Sequence, residues 1–111
     1  MEEATNNDNG IFVYMGEEGP IVPYDVVRAR VHPSVTVISS EPFNNRQRLE
    51  EVELCEGLIE IRNMAFEGCY KLKRINIPST VRIIHRYAFS GCSQLEEVEL
   101  CEGVVTLQSA R

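Results

Sequence analysis

Residues 49–57 read Leu-Glu-Glu-Val-Glu-Leu-Cys-Glu-Gly, and residues 95–103 repeat the same nine residues. Leu72 stands midway between Leu49 and Leu95, so the chain repeats with a period of 23 (72 − 49 and 95 − 72). The same period links Phe43, Phe66 and Phe89; Ala65 and Ala88; and Cys69 and Cys92. It also links Val52, Ile75 and Val98; Leu54, Ile77 and Leu100; Leu58, Val81 and Val104; and Ile61, Ile84 and Leu107. A period of this length marks a stack of small structural units. One such unit cannot bury its apolar side alone, whereas a stack buries it in ladders of like residues.

The period reaches backwards in weaker form. Val26, Ala29, Val31, Val35 and Ile38 fall on the same apolar positions one unit earlier, with Pro20 in place of the phenylalanine. Half a unit earlier still, Phe12 and Met15 fall one full period before Val35 and Ile38. The expected organisation is a disordered acidic tail over 1–10, a half coil over 11–19, and units at 20–42, 43–65, 66–88 and 89–111. The last unit has no polar cap after it. Open solenoid ends expose core, so that end is expected to continue, to be covered, or to associate with another copy through its C-terminal coil.

Within each unit the local pattern is legible. Val52 and Leu54 alternate with Glu51, Glu53 and Cys55, which is the period of a strand buried on one face. Pro78 stands at a strand exit, where a missing N–H is tolerated. Ser79 to Ile84 is rich in β-branched residues and predicts a second short strand. Asn63 to Cys69, and its copy Arg86 to Cys92, place Ala, Phe and Cys at helical spacing with Gly near the end, which predicts a single helical turn.

The pattern Ala-Phe-x-x-Cys-x-x-Leu-x-x-Val/Ile-x-Leu/Ile, followed by Val-x-x-Ile and the next Ala-Phe, resembles the BspA-type leucine-rich repeat family. It covers roughly residues 20–111 and is clearest over 43–107. Where the family pattern usually has Gly after the Ile, this chain has Ser39, Arg62, His85 and Gln108. The resemblance implies an α/β, β-rich repeat solenoid: a right-handed superhelix with a parallel concave sheet, short convex strands and single helical turns. It also implies interaction or adhesion proteins, many of them surface-exposed in microbes, with no catalytic residues to carry over.

In such a solenoid the outward positions form rows across strands about 4.8 Å apart. One row is Arg28, Glu51, Arg74 and Glu97; the next is Arg30, Glu53, Asn76 and Glu99; a third is His32, Cys55, Pro78 and Cys101. The first row alternates in sign, and Lys73 between Glu50 and Glu96 repeats the alternation one position earlier. Opposite charges on adjacent strands attract, so the plain reading is a ladder that keeps the coils in register. The functional reading is a face that selects a protein partner by charge. The eight residues of the first two rows are the candidate binding site.

Composition narrows the alternatives. The 111 residues carry a net charge of −6, which argues against nucleic acid and anionic membranes as partners. The acidic N-terminus lacks the basic start and apolar core of a signal peptide, and no Asn-x-Ser/Thr sequon occurs. Together these point to an intracellular protein, with a cell-surface setting if the full gene encodes a signal. No P-loop, GxGxxG, GxSxG or HExxH motif occurs, and no catalytic residue or cofactor is expected. Cys69 and Cys92 are expected to stack as buried thiols, with a bridge geometrically conceivable between adjacent coils. Cys55 and Cys101 lie two coils apart, too far to bridge. His32 and Cys55 share a row, but Pro78 interrupts it and zinc needs four ligands, so no metal is expected. His85, at a position that varies among units, reads as solvated. The function expected is a non-enzymatic protein-interaction module. The alternatives are a structural or adhesive surface repeat, or a fragment of a longer array.

Overall fold

The alternating segments are strands. A computed structural model describes the backbone of residues 7–8, 10–100 and 106–107 and the side chains of residues 10–96. Six strands form a long sheet: β1 (Asn7–Asp8), β2 (Ile11–Tyr14), β3 (Arg28–Val31), β5 (Glu51–Glu53), β7 (Arg74–Ile77) and β9 (Glu97–Leu100). A second sheet holds β4 (Val37–Ile38), β6 (Glu60–Ile61), β8 (Ile83–Ile84) and β10 (Thr106–Leu107). Every pairing is parallel except β1 with β2, and from β3 onward the coils stack in the register of the sequence period.

Between the sheets lie the ladders that the period predicts. Ala29, Val52 and Ile75 are buried from the long sheet; Ile38, Ile61 and Ile84 are buried from the short one. The phenylalanine rings stack, Phe43 on Phe66 at 4.9 Å between centroids and Phe66 on Phe89 at 5.4 Å. Each buried aliphatic or aromatic side chain contributes about 1.5–3 kcal/mol before conformational entropy is charged.

The segment expected to be a helical turn is not helical. Met64 and Tyr87 adopt φ of 62° and 64°, and Gly68 and Gly91 adopt 80° and 79°. A right-handed helix cannot contain such residues. The backbone instead makes successive turns, and its free N–H groups reach the next coil. Phe43 N donates to Ala65 O at 3.0 Å, Asn45 N to Glu67 O at 2.7 Å, Phe66 N to Ala88 O at 2.8 Å, and Gly68 N to Ser90 O at 2.8 Å. The turns thus form a third face, held coil to coil by its own hydrogen bonds.

The N-terminal coil also departs from the expected phase. Phe12 lies opposite Ala29 and Tyr14 opposite Val31, a step shorter than the repeat. Phe12 and Met15 are therefore not the counterparts of Val35 and Ile38. The burial of Phe12 and Tyr14 on one side of β2 fixes this register, because a strand's apolar face must meet the core. Tyr14 then sets its ring 5.4 Å from Phe43 and heads the aromatic ladder, the place the period leaves to Pro20. Asn7–Asp8, inside the expected disordered tail, pairs antiparallel with β2 as β1, and Gly10 at the reversal has φ 80°. This short strand covers the edge of the long sheet. The rest of the tail (1–6 and 9) and most of the last coil (101–105 and 108–111) lie outside the described residues, and so does the expectation of an open C-terminal end.

Arg46, only 6% exposed, occupies the repeat position of Cys69 and Cys92. The two cysteines donate Sγ–H to the carbonyls of Phe43 and Phe66 in the preceding coil, at 3.1 and 3.2 Å. Arg46 does the equivalent job for the irregular first coil. Its Nε and Nη2 donate to Val22 O at 3.2 and 2.7 Å, and its Nη1 donates to Asn44 O at 2.6 Å. The Tyr24 ring covers the guanidinium at 4.0 Å.

Arg46→Met is expected to lower unfolding free energy by about 2–4 kcal/mol, because it strips charged hydrogen bonds from buried carbonyls; urea denaturation measures it. Two glycines give a sharper comparison. A Cβ at Gly68 would collide with the Asn45 amide, whereas one at Gly91 would approach nothing closer than 3.4 Å. Both substitutions carry the conformational cost of a positive φ, about 1 kcal/mol. The exposed Asn45 amide can rotate clear of Gly68, and the nearest backbone lies at 3.4 Å from either Cβ, so Gly68→Ala and Gly91→Ala are expected to destabilise by similar amounts; a far larger loss at Gly68 would show that the Asn45 side chain is pinned.

Candidate protein-binding face

The rows of the long sheet fall in the register the period demands. Arg28 is opposite Glu51, Glu51 opposite Arg74, and Arg74 opposite Glu97. In the second row Arg30 is opposite Glu53, and Asn76 is opposite Glu99. Arg28, Glu51, Glu53, Arg74 and Asn76 are exposed, and Arg30 is half-buried. Glu97 and Glu99 are placed by the backbone of β9. Strand alternation explains the arrangement: with Ala29, Val52 and Ile75 turned into the core, their neighbours must face out.

The charges along the two rows behave differently. Arg30 Nε reaches Glu53 Oε1 at 3.0 Å, a closed pair across adjacent coils. Its side chains are 31% and 63% exposed, so it contributes only ~0–1 kcal/mol. Among the described residues, Arg28, Glu51 and Arg74 close no ion pair within 4 Å, although they follow one another across three strands. A shallow depression of about 470 Å³ lies over this part of the sheet, with Arg28, Glu51, Glu53, Arg74 and Asn76 among its lining residues. Among the described residues, the first row therefore presents alternating charges that close no ion pair.

In the third row, His32 makes local contacts. His32 Nδ1 sits 2.8 Å from Ser34 Oγ and accepts from Ser34 N at 3.1 Å. Among the described residues no three His, Cys, Asp or Glu side chains converge on one point. Cys55, Cys69 and Cys92 are not joined in disulfides. The Cys69 thiol is held far above the ordinary thiol range, first by its hydrogen bond with Cys92 and then by burial.

His85, expected to be solvated, is half-buried on the short-strand side. Its Nε2 lies 2.6 Å from Glu60 Oε2, which Arg62 Nε also approaches at 3.4 Å. Glu60 is opposite Ile83, so His85 is its diagonal neighbour on the adjacent coil. Its position in the repeat gives no hint of this partner, because an unlike residue stands there in every unit. Arg46 escapes sequence reasoning for the same reason: it interrupts the cysteine position without sharing its chemistry.

The family model described as BspA type leucine rich repeat region (6 copies) matches residues 27–110. Among solved structures, a leucine rich cell surface protein from Faecalibacterium prausnitzii A2-165 is similar, at 25% identity and a TM-score of 0.51. The match covers 84% of this chain and 32% of that one, so this chain spans about a third of that protein's length. A comparison with the curated proteins gives no match.

The thiol ladder gives a direct test. With iodoacetamide at mildly alkaline pH, the half-buried Cys55 is expected to react in the folded chain. Cys69, fully buried and held protonated, is expected to react only on unfolding. Site-resolved mass spectrometry reads both. Equal rates at the two sites would contradict the ladder.

Proposed function

This chain belongs to the BspA-type leucine-rich repeat family, and we propose that it works by binding a protein partner on its long-strand face. The observation that carries this reading is the exposed run Arg28, Glu51 and Arg74, which alternates in sign and is unpaired within the chain among the described residues. Charged groups so placed steer and select a partner of complementary pattern more than they add affinity. Arg28 and Arg30 make the N-terminal part of the face basic, while Glu97 and Glu99 bring acidic residues to the C-terminal part. The fitting partner carries the reverse polarity.

A second reading is a structural or adhesive surface repeat. It is favoured by the similar structure, which is that of a cell surface protein. That likeness also favours a cell-surface setting over the intracellular one expected from the acidic N-terminus. No helix among the described residues is long and apolar enough to cross a membrane. The family and the similar structure are non-enzymatic kinds of repeat protein, and no catalytic role is assigned to any residue.

A pull-down from cell extract and surface fractions tests the proposal, comparing the native chain with the Arg28→Glu plus Arg74→Glu variant. A protein retained by the native chain and lost from the still-folded variant is the expected result. Equal retention by both would remove this face as the binding site. No specific retention by either would favour the structural reading.

A further inference from the structure

The sign pattern of the long-strand face has a symmetry property. Read along the stack of coils, the first row is plus, minus, plus, minus: Arg28, Glu51, Arg74, Glu97. Reversed, the same row reads minus, plus, minus, plus, which is its own complement. We propose that this face binds a second copy of the same chain, face to face with the two stacks antiparallel. The inference rests on the binding-face reading above and names its partner.

The pairing can be followed residue by residue. With the two-fold axis parallel to the strands, each row meets itself reversed. Arg28 then meets Glu97 of the second copy, and Glu51 meets Arg74. In the second row, Arg30 meets Glu99 and Glu53 meets Asn76, a carboxylate facing an amide that can donate. No like charges are juxtaposed in these rows. The other face-to-face two-fold, with its axis along the stack, sets the first row against the second on the same strand. Arg28 would then face Arg30, and Glu51 would face Glu53. Like charges in contact oppose association, so electrostatics selects the antiparallel arrangement. Such an interface is isologous and closes at two copies.

Its strength is bounded by its size. At about 4.8 Å between strands and 3.3 Å per residue, four strands of about four residues cover only roughly 250 Å². A standard interface buries ~800 Å² on each partner. The association is therefore weak, rests on exposed charge, and falls as salt screens it.

Sedimentation velocity of the full chain over a range of concentrations, at low and at moderate salt, tests this. The native chain is expected to sediment increasingly as a dimer at low salt and to return to monomer as salt rises. Two variants make the row uniform in sign: Arg28→Glu plus Arg74→Glu, and Glu51→Arg plus Glu97→Arg. Each alone is expected to remain monomeric, and an equimolar mixture is expected to associate at least as strongly as the native chain, because opposite rows now meet. Circular dichroism establishes that each variant is folded; if either is not, the neutral pair Arg28→Gln plus Glu51→Gln replaces them and is expected to weaken the dimer. A native chain that stays monomeric at low salt, association that strengthens with salt, or uniform-sign variants that dimerise like the native chain would each overturn the inference. A native monomer that still retains a foreign protein, and loses it on Arg28→Glu plus Arg74→Glu, would overturn self-association alone and leave the binding face standing.

Discussion

Everything in this fold depends on the hydrogen bonds that each coil makes with the next. A buried backbone N–H or C=O without a partner costs about as much as a lost hydrogen bond, and within a coil only tight turns, such as Leu49 N to Arg46 O and Leu72 N to Cys69 O, supply partners. The rest of the supply comes from stacking on all three faces. The long and short strands pair in parallel, and the turns donate from Phe43, Asn45, Phe66 and Gly68 to the coil that follows. Side chains continue the pattern one period apart, as in Ser40 to Asn63 at 2.8 Å, Asn44 to Glu67 at 3.0 Å and Ser79 to Glu56 at 3.0 Å. Because every layer needs the same register, like residues are forced to stack on like. The phenylalanine, isoleucine and thiol ladders follow from this.

The same constraint makes the outer face. Once the register puts Val52 over Ala29 and under Ile75, it also puts Glu51 between Arg28 and Arg74. A run of identical outward charges would repel at about 4.8 Å spacing, so alternation suits the stack even with no partner present. On the proposed reading function needs little beyond stability: an alternating row that tolerates its own neighbours is also complementary to another alternating row. The closed Arg30–Glu53 pair marks where the charge is used inside the chain, and Arg28, Glu51 and Arg74 mark where it is left to the outside.

The repeat makes the regular part of this structure legible from sequence. The Phe43–Phe66–Phe89 stack, the two strands per coil and the residue-by-residue rows of the long sheet all follow from the period. What escapes is what the period does not govern. The Ala-Phe-x-x-Cys spacing matches a helix, but Met64 and Tyr87 take positive φ, and neither residue type advertises it. β2 breaks phase because its Phe12 and Tyr14 fill the end of the core rather than continue the repeat. The Asn-Gly dipeptide before Ile11 is a strong hairpin signal, yet the polar, acidic composition of the first residues reads as a tail. Arg46 and the Glu60–His85 pair arise from single departures from the consensus, which a period search averages away. The candidate face itself is legible as geometry, but its partner is not encoded in the spacing of residues.

The central claim is that the charged long-strand face is the surface that binds. Carboxyl footprinting tests it most directly, by labelling exposed carboxylates with a carbodiimide and a small amine in the free and the bound chain. The account predicts that binding protects Glu51 and Glu53 while Glu41 and Glu56, exposed away from these rows, label as before. Protection of Glu41 and Glu56 with Glu51 and Glu53 unchanged would contradict it.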